Sequence, residues 1–262
     1  MRKIYVLPNL FTTASLFCGL LAIIHINGGR YDLACTLILV SILLDTLDGK
    51  IARLTHTQSP FGVNYDSLSD LVAFGVAPAM LIYNWLQFIS DGSLGRVATG
   101  VSILYGICGA LRLARFNVSS MKKAAPKKEK KVFIGLPIPA AAGAVVSVFL
   151  AFWGRPYSLW EASSVMIRIL PVSFVALACL MVSNIPYPSM KTIDLENRRP
   201  FDYLVLTTVV VCFFVALWQL RSLMLLLGFW SYVVWGILLR LFRIYRIRTR
   251  GKEPMAEPPR TK

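Results

Sequence analysis

Apolar stretches long enough to cross a bilayer recur along the whole chain, and no single hydrophobic core could bury them all. Hydrophobic residues make up 56% of the 262, above the roughly 45–50% usual in a soluble domain. The reading is therefore all-α: a polytopic helical bundle with about eight transmembrane helices, at roughly 10–27, 33–52, 67–89, 96–115, 134–153, 165–184, 203–220 and 223–242. The basic residues fix the orientation. Of 28 lysines and arginines, 23 fall at the N-terminus, the end of the second span, 112–131, 191–199 and from Arg240 onward, alternating with stretches that hold five. The positive-inside rule then puts both termini on the cytoplasmic side, which an even number of spans allows. The first span follows directly on MRK with no small-residue cleavage pattern, so it reads as retained. The five cysteines are scattered one per apolar segment without a C-x-x-C pair, as small buried hydrophobes are.

Against this background the acidic residues of one stretch stand out. DTLDGKIARLTHTQSPFGVNYDSLSD carries Asp45, Asp48, Asp66 and Asp70 within apolar segments. Asp45 and Asp48 are three apart, so on a helix they share a face, about 4.5 Å apart along the axis. Asp66 and Asp70 are four apart and do the same on the next helix. The Ser59-Pro60 turn signal and Gly62 let two antiparallel helices bring the four carboxylates together. Each would cost about 2.5–3.5 kcal/mol in a membrane without compensation. Two divalent cations supply the matching charge, and hard oxygen ligands select Mg²⁺ or Mn²⁺ over zinc. A solvated cluster at helix ends is the bland alternative. A divalent-cation transporter would want acids spread through the membrane depth, whereas the last four spans have no acidic residue within them. Nucleic acid is excluded as a partner, because the basic residues sit in loops between spans and not on a soluble face interleaved with aromatics.

The motif D-x2-D-G-x2-A-R-x8-G-x3-D-x3-D, including Gly49, Ala52 and Arg53, resembles position for position the signature of the CDP-alcohol phosphotransferase family. The run Phe61 to Ala79, the GALRLARFN segment at 109–117 and FIGLPIPAAAG at 133–143 resemble its membrane-integral phosphatidylserine synthase branch. The resemblance implies transfer of the phosphatidyl group of CDP-diacylglycerol to L-serine, with CMP released and no covalent intermediate. It implies two metals on Asp45, Asp48, Asp66 and Asp70, with Asp70 also the general base. Other acceptors, glycerol phosphate or inositol phosphate, and an archaeal-type lipid donor are the alternatives. Gly49, with no side chain, lets a phosphate approach, and Arg53, one turn on, offers a planar fork. With Gly62 they form the expected CDP and phosphate site. Asn9 is either a contact to the nucleotide head or an N-cap. For the acceptor the candidates are Arg112 and Arg115, three apart on one face, and Gly135 with Pro137, where a broken helix start exposes amides. Their bland readings are a positive-inside pair and a routine proline. His56 falls in the variable gap of the family pattern, which argues against a phospho-histidine.

Residues 1–185 are expected to form the catalytic core of about six spans, 186–245 two further helices, and 246–262 a basic disordered tail. The basic run at 119–131 suits a loop against anionic lipid. The location implied is the cell membrane, multi-pass, with the site facing the cytoplasm; a homodimer is implied by the family alone. Reporters inserted near Ala125 and fused after Lys262 should both read cytoplasmic, and one near Asp91 external. Opposite sides for 125 and 262 would refute the span count.

Overall fold

A computed structural model describes residues 6–54, 60–90, 92–122, 133–152, 164–187 and 225–242. Its helices are α1 (Val6–Asn27), α2 (Tyr31–Leu54), α3 (Pro60–Asp70), a π-helical segment (Leu71–Val76), α4 (Ala77–Ile89), α5 (Gly95–Lys122), α6 (Ile138–Phe152) and α7 (Ser164–Val182). A last helix, α8, runs Leu225–Phe242. Helices thus occur at seven of the eight expected spans. The span at 203–220, His56, Asp91 and the basic tail lie outside the described residues.

Local chemistry sets the ends. Helix α1 closes on Gly29, whose φ of 72° no β-carbon favours. The amide of Arg30 donates to His25 O at 2.9 Å and that of Gly29 to Ile26 O at 3.1 Å, the paired bonds of a glycine-terminated helix. The chain then turns directly into α2, antiparallel to α1. Inside this hairpin the Ser15 and Ser41 hydroxyls lie 2.7 Å apart, one donating to the other, and each is also within reach of the other residue's carbonyl. Hydrogen bonding of this kind joins helices where lipid offers no hydrophobic drive. Pro60 opens α3, where its missing N–H costs nothing.

Helices α3 and α4 form one rod with an irregular middle. The Ala77 amide donates to Val72 O, five residues back, which widens the turn. Pro78 follows and has no N–H to offer the Phe74 carbonyl. That carbonyl instead accepts from the buried Tyr105 hydroxyl of α5 at 3.3 Å. Small residues then let neighbours close on the π segment. A β-carbon on Gly19 of α1 would lie 2.8 Å from the Ala73 Cα, and one on Gly109 of α5 would meet Ile138 Cδ1 at 3.0 Å.

Beyond this centre, Trp85 packs on Phe149 of α6 and Phe174 of α7, with ring centroids 5.0 and 5.9 Å apart. A two-residue antiparallel pairing, Phe133↔Tyr187 and Ile134↔Pro186, ties the entry of α6 to the exit of α7.

Large apolar side chains lie exposed along the bundle, as a lipid-facing surface allows, while a few polar ones are buried. Phe17, Ile24, Ile107 and Leu111 are more than half exposed, while Thr12, Ser15, Ser41, Asp48, Ser69 and Arg112 are buried. Among the described residues, four helices, at 9–27, 61–89, 95–118 and 225–242, are long and apolar enough to cross a membrane. The protein is a helical membrane protein. The backbone contact at Gly19 generates a test. Gly19→Ala should destabilise the protein in detergent by about 1–3 kcal/mol, whereas Gly109→Ala, which meets only a flexible methyl, should be milder; equal melting shifts would refute this packing.

Candidate active site

Three carboxylates converge where the C-terminal part of α2 meets α3. Oxygens of Asp45, Asp66 and Asp70 all lie within 4.8 Å of one another. Asp70 is hydrogen-bonded to Asp45, and Asp66 feels the charge of both Asp45 and Asp48. Four residues on a helix return within about 40° of the same direction, so Asp66 and Asp70 point together. Three residues leave about 60°. Asp48 is accordingly turned away from the triad, towards α1.

There its carboxylate accepts a hydrogen bond from the Thr12 hydroxyl, both residues being buried. The carbonyl of the same Thr12 accepts from Ser69 Oγ at 3.1 Å. Thr12 thereby joins the two acidic helices through α1. Next to it, Thr13 Oγ1 is 3.0 Å from the Tyr65 hydroxyl, and Ser67 Oγ donates to Asn117 Oδ1 of α5 at 3.0 Å. Thr12 stands outside the acidic motif of the sequence. Its partner on α2 emerges once the hairpin register is known.

A cation completes the wall. Arg112 of α5 is buried, its guanidinium over the Phe116 ring at 5.5 Å, and its charge acts on Asp70 and Asp45. Arg115 does not share that surroundings. It donates to Val182 O at 3.0 Å, Asn184 Oδ1 at 3.1 Å and Ser183 O at 3.1 Å, capping the C-terminal carbonyls of α7. Gly135, at φ 85°, lies beneath it; a β-carbon there would be 2.7 Å from Arg115 Nη2 and 2.5 Å from Met181 O. The amides of Gly135 and Leu136 donate to Ile185 O and Leu180 O, at 2.8 and 3.1 Å. The pair expected to work together is therefore split: Arg112 faces the acids, while Arg115 and Gly135 fasten the entry of α6 to α7, and Pro137, just before α6, accepts from the Ala141 amide at 3.0 Å.

The other expected residues cluster at the same end. Asn9 lies inside the first turns of α1, where its carbonyl accepts from Thr13 at 2.7 Å, so it is not an N-cap. Gly62 is in the first turn of α3. Gly49 and Arg53 belong to the last turns of α2, and the Arg53 side chain lies outside the described residues.

The donor set fits a divalent cation. All the ligand atoms are carboxylate oxygens, as hard cations prefer. Oxygens on opposite sides of one Mg²⁺ are about 4.2 Å apart, so a cluster within 4.8 Å closes on an ion with small rotations.

The profile of the CDP-alcohol phosphatidyltransferase family matches residues 5–184, the segment that contains this cluster. The chain belongs to that family. Similar members include a Helicobacter pylori protein named CDP-diacylglycerol–serine O-phosphatidyltransferase, 38% identical over 249 residues, 94% of this chain and 96% of its own. A Methanocaldococcus jannaschii protein of the same name is 38% identical over 188 residues, 72% of this chain and 76% of its own. An archaetidylserine synthase of Methanothermobacter thermautotrophicus is 39% identical over 184 residues, 70% of this chain and 69% of its own. As a CDP-alcohol phosphatidyltransferase, the protein is an enzyme.

Thr12→Val keeps the shape but leaves the buried Asp48 without its donor. The lost bond to a charged group, about 1.5–3 kcal/mol, should lower turnover roughly ten- to a hundredfold, with Thr12→Ser close to wild type. Undiminished turnover of Thr12→Val, assayed at matched protein levels, would contradict this role.

Proposed function

We propose that this enzyme transfers the phosphatidyl group of CDP-diacylglycerol to the hydroxyl of L-serine, giving phosphatidylserine and CMP. The observation that carries the reading is the meeting of Asp45, Asp66 and Asp70 beside the buried Arg112. Relatives named as serine phosphatidyltransferases along most of the chain supply the acceptor.

Asp45, Asp66 and Asp70, with Asp48 turned towards α1, would hold two ions, Mg²⁺ or Mn²⁺. When bound, these ions supply positive charge that offsets the diphosphate and the charge developing on the departing CMP. Asn9, Gly49, Arg53 and Gly62, at the same end of the bundle, bind the CDP and phosphate portion. Arg112 takes the serine carboxylate through its planar fork and aims the hydroxyl inward. The serine oxygen bonds to phosphorus as the bond from phosphorus to the CMP oxygen breaks. The hydroxyl proton goes to a carboxylate oxygen of Asp70, the general base. Arg115, Gly135 and Pro137 support this wall by holding α6 on α7.

The eight-helix topology, with both termini and the acidic cluster on the cytoplasmic side of the cell membrane, completes the reading; it rests on the basic-residue pattern. Soluble serine and CMP are then on the side where the site opens, and anionic lipid borders the basic loops.

The test is an acceptor and donor panel. Purified protein with Mg²⁺ or Mn²⁺ should release CMP from CDP-diacylglycerol when serine is added, and not with glycerol phosphate or inositol phosphate. A CDP-activated ether lipid belongs in the panel, given the archaetidylserine synthase relative. Asp45→Asn, Asp66→Asn and Asp70→Asn should each reduce CMP release at least about a hundredfold. Preference for another alcohol would overturn the serine assignment, and near-normal turnover with unchanged metal dependence in any of the three would overturn the site.

A further inference from the structure

The irregular turn between α3 and α4 follows directly on the last acidic residue, and α5 touches it through Tyr105 and Gly109. Asp70 itself keeps helical dihedrals, φ −57° and ψ −42°, so α3 runs into the π segment without a break. Any rotation at that segment therefore passes to Asp70, and to Asp66 about one turn before it. In an unbroken α-helix the partner of the Phe74 carbonyl is the amide of residue 78, which here is Pro78. The Tyr105 hydroxyl donates to that carbonyl at 3.3 Å, and Tyr105 and Phe74 are both fully buried. One turn further along α5, Gly109 packs on Gly75: a β-carbon added at Gly109 would lie 3.8 Å from the Gly75 Cα. Tyr105, Gly109 and Arg112 follow i, i+4, i+7 spacing and share one face of α5. The stripe that ends in Arg112 is thus the one that holds the turn.

We propose that Tyr105 is a positioning residue for the metal site: its hydroxyl keeps the turn after Asp70 wide and thereby sets the direction in which Asp66 and Asp70 point. The turn is wide because the Ala77 amide reaches back five residues, to Val72 O, where an α-helix would reach four. A buried carbonyl deprived of its donor reorients to find another, and the peptide planes of its turn move with it. Helix α4 resists following such a movement, because Trp85 is packed on Phe149 of α6 and Phe174 of α7. The movement is therefore taken up by α3, which turns about its own axis against α2. The oxygens of Asp66 and Asp70 then leave the 4.8 Å cluster they form with Asp45. Tyr105 acts on the carboxylates through the backbone, from outside the acidic motif. The inference rests on the reading of Asp45, Asp66 and Asp70 as metal ligands, and the experiment separates the two.

The test reads metal binding directly. Full-length protein in detergent–lipid micelles, stripped with chelator, is titrated with Mn²⁺ while electron paramagnetic resonance follows the free ion; melting without metal is recorded in parallel. Tyr105→Phe keeps the buried ring and removes only the hydroxyl. It should raise the Mn²⁺ dissociation constant about two- to tenfold. Pro78→Ala is the second variant: its new amide competes for the Phe74 carbonyl and lets the turn close to the α pattern. It should weaken Mn²⁺ binding by a similar factor. Binding as tight as wild type in either variant would overturn the inference. A lower melting temperature of Tyr105→Phe with unchanged Mn²⁺ affinity would overturn it too, showing a merely structural role. Should Tyr105→Phe fail to fold, Pro78→Ala decides. Asp45→Asn serves as the reference. If it binds Mn²⁺ as tightly as wild type, the carboxylate site fails and this inference with it. If it binds weakly while Tyr105→Phe binds normally, only this inference falls and the proposed function stands.

Discussion

Mutual repulsion among three partly buried carboxylates is the constraint on which the rest of the structure depends. At a few ångströms, like charges of this kind drive apart the helices that carry them. Asp45, Asp66 and Asp70 remain together because, besides the Asp70–Asp45 hydrogen bond, α2 and α3 are tied through α1 by bonds that do not involve those carboxylates. Thr12 grips Asp48 on one side and Ser69 on the other, and the Ser15–Ser41 pair closes the same hairpin deeper in. The protein spends its buried hydroxyls on keeping these carboxyls together, as a site for a divalent ion requires.

Close approach of backbones does the remaining work. Membrane helices gain little from hiding apolar surface, so contact must come from fit. Gly19 against Ala73 and Gly109 against Ile138 bring α1, α5 and α6 onto the irregular turn just after Asp70. The acidic residues therefore sit on a scaffold braced from several sides, as a site that must hold geometry to a fraction of an ångström requires. Arg115 extends the bracing to α7 through four backbone or amide oxygens.

Much of this was legible in the sequence, for definite reasons. Helix positions follow from uninterrupted apolar runs, and the acidic motif is sharp because carboxylates are rare in such runs. What the sequence could not show is direction around the helix axis. Spacing by three suggested that Asp45 and Asp48 act together and that Arg112 and Arg115 do too; a 60° divergence suffices to send one of each pair to a different neighbour. The Thr12–Asp48 bond spans 36 residues and depends on how α1 and α2 slide past each other, which no local pattern encodes.

The π segment from Leu71 to Val76 has a further meaning. A turn that accommodates an extra residue advances the helix by a phase of about 100° relative to an unbroken one. The rod from Pro60 to Ile89 is therefore two helical registers spliced end to end. Its upper part aims Asp66 and Asp70 at α2, while its lower part is free to aim Trp85 at α6 and α7. The splice decouples the orientation that catalysis demands from the orientation that membrane packing demands, so either face can vary in evolution without rotating the other.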